Sequence, residues 1–206
     1  MNIRRINYNM AIRFLLPKHY SGRKPQISYA FGLYESSELM AVCTFGKPAS
    51  NSLCKGICGD DFTQNVYELN RLCRKETYGK QLSEFVAYCL RELKKFNLII
   101  VSYADKGMNH NGYIYQACNF LYTGATKRRT DKYTKGNKHS RHYSDDEQLG
   151  LRKVRTSKHR YIYICGDKRF KKNVMKNLNY DISPYPKEQN KNYVLGEYQQ
   201  TELVRT

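Results

Sequence analysis

The chain has no apolar run that approaches the roughly 20 residues of a membrane-spanning helix. Arginines precede a short apolar patch near the N-terminus, but Arg13 interrupts the patch and no small-residue cleavage site follows it. No internal repeat is present. We therefore expect a soluble protein with no membrane partner and no signal peptide.

Paired cysteines are also missing. The seven cysteines are an odd number, are scattered along the chain and mostly fall in apolar segments, which is typical of reduced core thiols. Cys54 and Cys58 form a single C-x-x-x-C with no second pair at the spacing of a zinc finger or ribbon. The pattern therefore favours neither a disulfide framework nor a structural zinc.

Acidic residues are scarce. Asp and Glu number 18 against 36 Lys and Arg, which gives a formal charge of +18, and such a surplus attracts polyanions. Residues 124–160 alone contain twelve basic and four acidic side chains, interleaved with tyrosines and histidines that are suited to stacking on bases. Nucleic acid is the leading partner, although a solvated surface or a flexible loop that orders on binding could have the same composition.

The length and the patterning predict one α/β domain over residues 1–190, with a basic insertion at about 124–160 and a tail at 191–206. A short helix is predicted at 9–16, a hairpin at 27–34 and 38–45, and a loop over a cleft at 46–61. Beyond the insertion, the pattern predicts a strand at 160–165, a basic helix at 168–178 and an extended piece at 179–187.

A βαβ unit is the clearest local prediction. Strand 65–73 leads through a glycine-bearing loop to an amphipathic helix at 82–96 and then to a buried strand at 98–103, so the two strands should be parallel. The free N–H groups at the start of that helix suit a phosphate, with help from Arg74, Lys75, Lys80 and Ser83.

This order of elements, followed by 114-IYQACNF-120, resembles the core of the GCN5-related N-acetyltransferase fold. The resemblance implies a mixed central sheet flanked by helices and a cofactor that is acetyl-CoA or a related acyl-CoA. It places Tyr115 as the acid that protonates the departing thiolate, and Asn119 where the family has glycine. The implied cofactor-binding residues are Arg71, Leu72, Cys73, Arg74, Tyr78, Gly79, Lys80 and Ser83.

A narrower resemblance covers residues 10 to 187. The stretches 19-HYSGRKP-25, 45-FGKPAS-50, 57-ICGDD-61, ELNRL, SYAD, NGYIYQACNFLYTG and RYIYICGDKR are similar, in the same order, to the Mom family of phage DNA-modification proteins. It implies an enzyme in the cytoplasm of the phage-infected bacterial host that converts the N6 of adenine in DNA to a methylcarbamoyl or related acyl form. That modification would protect phage DNA from host restriction.

Residue by residue, the family's His-Tyr pair matches His19 and Tyr20, its acid matches Asp105 and its tyrosine matches Tyr115. The resemblance also suggests an iron-dependent step, with His19, Tyr20 and Asp105 as the metal ligands. His110 is the competing ligand, because it lies in the same turn as Asp105.

Adenine N6 is a poor nucleophile because it is conjugated with the ring, and Asp105 is our candidate to accept its proton. A base that has left the helix stack could lie on Tyr103, Tyr113 or Tyr122. The predicted contacts to double-stranded DNA are Lys127, Arg128, Arg129, Lys132 and Arg141.

Two alternatives remain open. An acetyltransferase for a small amine or a protein lysine would turn over acetyl-CoA without DNA, although the charge of +18 argues against it. A non-catalytic phage protein that keeps the fold would bind DNA tightly, in a salt-sensitive manner, without binding coenzyme A.

Overall fold

A computed structural model describes residues 2–19, 23–133, 150–187 and 202–205. The strands are β1 (Asn2–Arg5), β2 (Tyr29–Glu35), β3 (Glu38–Gly46), β4 (Val66–Arg74), β5 (Leu98–Asp105), β6 (Leu121–Ala125), β7 (Arg129–Lys132), β8 (Leu151–Arg155), β9 (Lys158–Cys165) and β10 (Leu203–Arg205). The α-helices are α1 (Tyr8–Leu15), α2 (Asn51–Cys58), α3 (Ser83–Leu93), α4 (Tyr113–Ala117) and α5 (Lys168–Lys176), and within these ranges short 3-10 helices lie at Asp60–Asn65, Lys94–Phe96 and Lys106–Met108.

The described strands form a large and a small sheet. The large sheet has the order β1-β2-β3-β4-β5-β9-β6, and the small sheet has the order β10-β8-β7. Neighbouring strands are antiparallel except β4 and β5, which are parallel. The predicted α/β class, with a mixed central sheet flanked by helices, is confirmed, and so is the parallel βαβ unit.

Helix α3 forms where its apolar residues recur at helical spacing. Phe85, Val86, Cys89, Leu90 and Leu93 are buried, and they pack on one side of the large sheet, which we name the α3 face. Burying this stripe is what holds the helix on the sheet, since α3 has no side-chain cap at its N-terminus.

Helices α2 and α5 cover the opposite side, which we name the α2 face. Cys54, Ile57 and Val174 from these helices join Ile99 and Val101 of β5 in a second core. Strand β5 is therefore a continuous apolar run in the sequence, because alternate residues face two cores rather than one core and solvent.

One prediction for the N-terminal half is wrong, and one strand there has no prediction. Residues 46–61 are not an open loop: Ser50 caps α2 by accepting a hydrogen bond from the backbone N–H of Leu53, and a 3-10 turn follows. Strand β1 is not predicted by the sequence, because NIRR has no alternation of apolar and polar residues. It pairs with β2, where the Arg4 guanidinium lies 4.1 Å from the centre of the Tyr34 ring.

The predicted insertion contains strands. Strands β7 and β8 lie inside 124–160, and β9 of the large sheet begins at Lys158, within the same span. Within the predicted tail, Leu203–Arg205 pairs with β8 as β10. None of the helices in the described ranges is long and apolar enough to cross a membrane.

Candidate functional site

The parallel strands β4 and β5 separate partway along their length. They pair over Val66–Glu68 and Ile99–Val101 only. Farther along, β4 continues its pairing with β3 and β5 continues its pairing with β9. The Ser102 hydroxyl donates a hydrogen bond to the Leu69 carbonyl at 3.0 Å where the strands part. The large sheet is therefore split between β4 and β5 beyond Glu68 and Val101, and both the α3 face and the α2 face border this split.

The predicted phosphate loop lies on the α3 face. Tyr78 and Leu82 are buried there and anchor the loop, whereas a Cβ added at Gly79 would meet no atom within 4 Å. The Arg74 guanidinium donates to the Lys80 carbonyl at 2.9 Å and so braces the loop. The uncapped first turn of α3 leaves backbone donors that suit a phosphate.

Two lysines of this loop already have acidic neighbours. Lys80 lies 2.5 Å from a carboxylate oxygen of Glu35, and Lys75 forms an ion pair with Glu38. Both pairs are partly exposed and contribute little to stability. A phosphate at the start of α3 would compete with these carboxylates for the ammonium groups.

The outer half of β4 supplies the remaining predicted cofactor residues. The Arg71 guanidinium donates to the carbonyls of Asn70 at 2.7 Å and Arg23 at 3.2 Å, so it ties the strand to the loop before β2. Leu72 packs against the core of the α3 face. Burial raises the pKa of Cys73 to about 12, so Cys73 is a packed thiol rather than a nucleophile.

Asp105 ends β5 and lies on the α2 face, in alternation with Val101 and Tyr103. It is buried, and its carboxylate accepts hydrogen bonds from Thr156 Oγ1 at 2.6 Å and from the Gly107 N–H at 3.0 Å. Lys158 Nζ, opposite Asp105 in the β5–β9 pairing, lies 3.1 Å away.

These partners determine the protonation state of Asp105. Burial alone would raise its pKa, but the hydrogen bonds from Thr156, Lys158 and Gly107 and the charge of Lys158 hold the pKa below its ordinary value. Asp105 is therefore ionised and firmly oriented. No pattern in the sequence points to Thr156 or Lys158, since the predicted strand starts two residues after Lys158.

The structure brings His19 to the same region. Burial and electrostatic interaction with Arg71, His110 and Lys158 lower the pKa of His19 to about 3, so its imidazole is neutral. Burial also lowers the pKa of His110, and Asp105 partly offsets that effect. Two neutral imidazoles thus accompany an ionised carboxylate. Tyr20 lies outside the described residues.

Glu68 is an acid that sequence reasoning missed. It is the last β4 residue that pairs with β5, and it alternates with Val66 toward the α2 face. Burial raises its pKa, against the opposing charges of Arg71 and Lys158. Glu68 therefore places a second carboxyl group, with a higher pKa than that of Asp105, at the inner end of the split. A charged residue inside the otherwise packed ELNRL strand is the signal that could have found it.

The predicted iron site is not supported. In the part of the chain that the structure describes, no group of three or more His, Cys, Asp or Glu side chains is placed to hold a metal. The carboxylate of Asp105 is occupied by Thr156, Lys158 and Gly107. The described residues around Asp105 therefore do not fit an iron ion.

Tyr115 lies on the other side of the sheet from Asp105. It is half-buried in α4 and packs on the rings of Phe120 and Tyr161, each 5.4 Å away between centroids, beside the core of the α3 face. Asn119 has a φ of 58°, which confirms that it replaces glycine in a left-handed conformation.

The three candidate stacking tyrosines differ in exposure. Tyr113 is 51% exposed, and Tyr103 lies against the core of the α2 face, where burial raises its pKa and keeps the phenol neutral. Tyr122 is buried, with its hydroxyl 2.9 Å from His159 Nδ1. Stacking of a base on Tyr122 would require this packing to open, so that hypothesis is disfavoured.

The predicted DNA contacts lie in and before β7. Arg128 pairs with Glu202 at 2.8 Å, and Arg129 lies 3.9 Å from Asp131. Lys127 precedes the strand and Lys132 ends it. Arg141 lies outside the described residues.

Comparison with known proteins identifies a matching protein family. The model of the Mom protein family matches residues 1–187. A search of curated proteins gives no match. The chain is similar to an N-acetyltransferase from Staphylococcus aureus Mu50, with 14% identity over 80% of this chain and 98% of that one, at a TM-score of 0.49.

Two further solved structures are similar to that of this chain. One is a putative acetyltransferase from Salmonella typhimurium with its cofactor acetyl-CoA, at 10% identity over 81% of this chain and 95% of that one, with a TM-score of 0.49. The other is the ribosomal-protein-S18-alanine N-acetyltransferase from Escherichia coli, at 10% identity over 81% of this chain and 94% of that one, with a TM-score of 0.48.

Proposed function

The chain belongs to the Mom protein family, and we propose that it transfers a group from an acyl-CoA to the N6 amino group of adenine in duplex DNA. The product would be the methylcarbamoyl or a related acyl form, made in the infected host cell and protective against restriction. The observation that carries the proposal is the split between β4 and β5, which is bordered on one face by the predicted phosphate loop and on the other by Asp105.

The two faces suit two reactants. On the α3 face, the loop Arg74–Ser83 and the start of α3 would hold the coenzyme phosphates, and Tyr115 would lie near the sulfur. On the α2 face, Glu68 and Asp105 lie beside Lys158, where an adenine could enter. Their separation keeps the thioester away from the acceptor until both meet at the split.

For transfer of the acyl group itself, which gives an N6-acyl adenine, the step balances with these groups. The N6 lone pair attacks the thioester carbonyl, the carbon–sulfur bond breaks, and the sulfur takes a proton from the Tyr115 phenol. A carboxylate accepts the proton that leaves N6, which is the role predicted for Asp105. Its firm hydrogen bonds to Thr156 and Lys158 orient it but also make it a weaker base, so Glu68 is a second candidate for this proton.

Mass spectrometry of nucleosides tests the proposal. DNA from cells that express the protein should contain a new adenosine species that is absent with Asp105→Ala, because removing a positioned proton acceptor costs about 100-fold to 10,000-fold in rate. Asp61→Ala, which removes an exposed aspartate from the 3-10 helix before β4, lies outside the site and is the matched control. A plain acetyl transfer cannot make a methylcarbamoyl group, so the product mass also identifies the donor class.

Three results would count against the proposal. Unmodified DNA from cells with folded wild-type protein would contradict DNA modification, and turnover of acetyl-CoA with a simple amine would then favour the small-amine acetyltransferase. Undiminished modification by both Asp105→Ala and Tyr115→Phe would remove these residues from the chemistry.

A further inference from the structure

The small sheet is a concentrated source of positive charge. Its three strands contain six basic side chains and one acid: Arg129, Lys132, Arg152, Lys153, Arg155, Arg205 and Asp131. No residue of these strands is buried. A sheet without buried side chains gains little stability from hydrophobic packing. Its charged, exposed surface is therefore the feature that needs an explanation.

Strand register divides the charges unevenly between the two sides of this sheet. Arg129 lies opposite Arg155, Asp131 lies opposite Lys153, and Arg205 lies opposite Leu151. Residues directly opposite one another point to the same side. We name this side the arginine face; its members are Arg129, Asp131, Leu151, Lys153, Arg155, Leu203 and Arg205.

The other side has fewer available cations. Lys132 and Arg152 lie opposite each other there. The Arg152 guanidinium is engaged with Thr130, donating to its Oγ1 at 2.7 Å and to its carbonyl at 3.0 Å. Four cations thus occupy the arginine face against two on the reverse.

Asp131 organises the arginine face. Its carboxylate lies 3.9 Å from Arg129 Nε and 3.5 Å from Arg155 Nε, so one acid holds two guanidinium groups side by side. Each guanidinium has five N–H donors, and a contact at Nε leaves the others for a further acceptor. Phosphate is the anion that such paired guanidinium groups recognise well.

The chain connects this face directly to the candidate site. Strand β8 ends at Arg155, and the next residue, Thr156, donates its hydroxyl hydrogen bond to Asp105. Strand β9 then begins at Lys158, which lies 3.1 Å from the same carboxylate. A polyanion bound along β8 would therefore run beside the acid-bearing end of the large sheet.

Helix α5 is the competing basic surface, with Lys168, Arg169, Lys171, Lys172 and Lys176. It starts beyond the opposite end of β9, where Cys165 pairs with Leu98 rather than with Asp105. Along the length of β9, that end is about 23 Å from Lys158. The first turns of α5 are thus poorly placed to hold a duplex whose base reaches Asp105.

We infer that the arginine face binds the phosphate backbone of the substrate duplex, and that the C-terminal strand β10 is part of the interface through Arg205. The inference rests on the proposed function for the identity of the duplex. It adds Lys153, Arg155 and Arg205 to the contacts predicted from the sequence, and it excludes Lys132, which points away.

Salt titration of DNA binding tests the inference without any acyl donor. The double variant Lys153→Gln/Arg205→Gln removes two charges from two strands, and Lys168→Gln/Lys172→Gln removes two exposed charges from α5. Fluorescence anisotropy with a labelled duplex over a NaCl series gives the slope of log K against log salt. The first variant should lower that slope by about 2, and the second should leave it unchanged.

Three further variants identify the face and control for misfolding. Lys132→Gln should leave the slope unchanged, whereas Lys153→Gln alone should lower it by about 1. Arg205→Lys keeps the charge and should bind with the wild-type slope. Equal losses for Lys132→Gln and Lys153→Gln, or a loss only with the α5 variant, would overturn the inference.

Failure of the inference is distinguishable from failure of the proposed function. Wild-type protein that modifies adenine while Lys153→Gln/Arg205→Gln keeps the full salt slope would refute the interface alone. Wild-type protein that binds duplex through this face but yields no modified nucleoside would refute the proposed function alone.

Discussion

The large and small sheets of this protein are held together differently. The large sheet contains fully buried side chains such as Phe31, Phe45, Ile100 and Ile162, whereas the strands of the small sheet contain no buried residue. Hydrophobic burial is the main source of stability in the large sheet. The small sheet is held together by backbone hydrogen bonds and ion pairs. In the described residues, the core of this chain and its densest strand charge therefore lie in separate sheets.

The largest effect is expected from a matched pair of truncations. Phe45→Ala empties a fully buried position against Phe31 and should lower the free energy of unfolding by about 3 to 5 kcal/mol. Val154→Ala in β8 should lower it by about 0.5 kcal/mol or less, because little apolar surface is lost. Urea denaturation measures both values, and comparable losses would show that the two sheets do not differ in this way.

A smaller effect is expected at two glycines with the same backbone conformation. Gly112, with φ of 83°, leads into α4, and a Cβ there would overlap the buried Tyr161 ring. Gly124, with φ of 80°, lies in β6 before the small sheet, and a Cβ there would meet no atom within 4 Å. Gly124→Ala therefore suffers only backbone strain, about 1 to 2 kcal/mol.

Gly112→Ala suffers the same strain and overpacking as well, about 2 to 4 kcal/mol in total. Thermal unfolding of both variants measures the difference. Equal shifts in Tm would show that the Tyr161 ring moves freely, and would contradict the tight packing of the large sheet around α4.

The smallest effect is a pH dependence. Burial raises the folded pKa of Glu68 above its ordinary value of 4.5, so the folded state holds the proton more tightly than the unfolded state. Stability from this group is therefore present below pH 4.5 and is lost as pH rises through the folded pKa. Glu68→Gln should remove that decline, because the amide does not titrate in this range.

Unfolding free energies measured from about pH 4 to about pH 8 by urea titration would show this effect. Glu76→Gln, which removes one exposed acid from the loop after β4, is the control for net charge. A decline that persists undiminished in Glu68→Gln would place its origin at another group.

Local patterns predict the elements that bury an apolar stripe. The helix predicted at 82–96 is α3 with its following 3-10 turn, and the basic helix predicted at 168–178 is α5. Strands β7, β8 and β10 escape such prediction, because charges replace the alternation of apolar and polar residues. Their pairing depends on partners distant in the chain, which a local pattern does not contain.

The candidate site shows the same limit. His19 and Asp105 could be proposed from short motifs, and the structure brings both near Lys158. Thr156 and Lys158 could not be proposed in this way. Their role depends on the β5–β9 register, which joins residues about 50 positions apart in the chain. Glu68 was missed because the apolar residues around it in β4 indicate a packed strand, and its charge alone does not indicate that this acid faces the site.

The hydrogen bond from Ser102 to the Leu69 carbonyl closes the inner end of the split. A group that entered between β4 and β5 could therefore advance only as far as this bond. Residues beyond it, Val66–Glu68 and Ile99–Val101, remain joined by the ladder. If the proposed acyl-CoA lies in this split, the position of the hydrogen bond would limit how far its flexible arm extends before the thioester meets the α2 face.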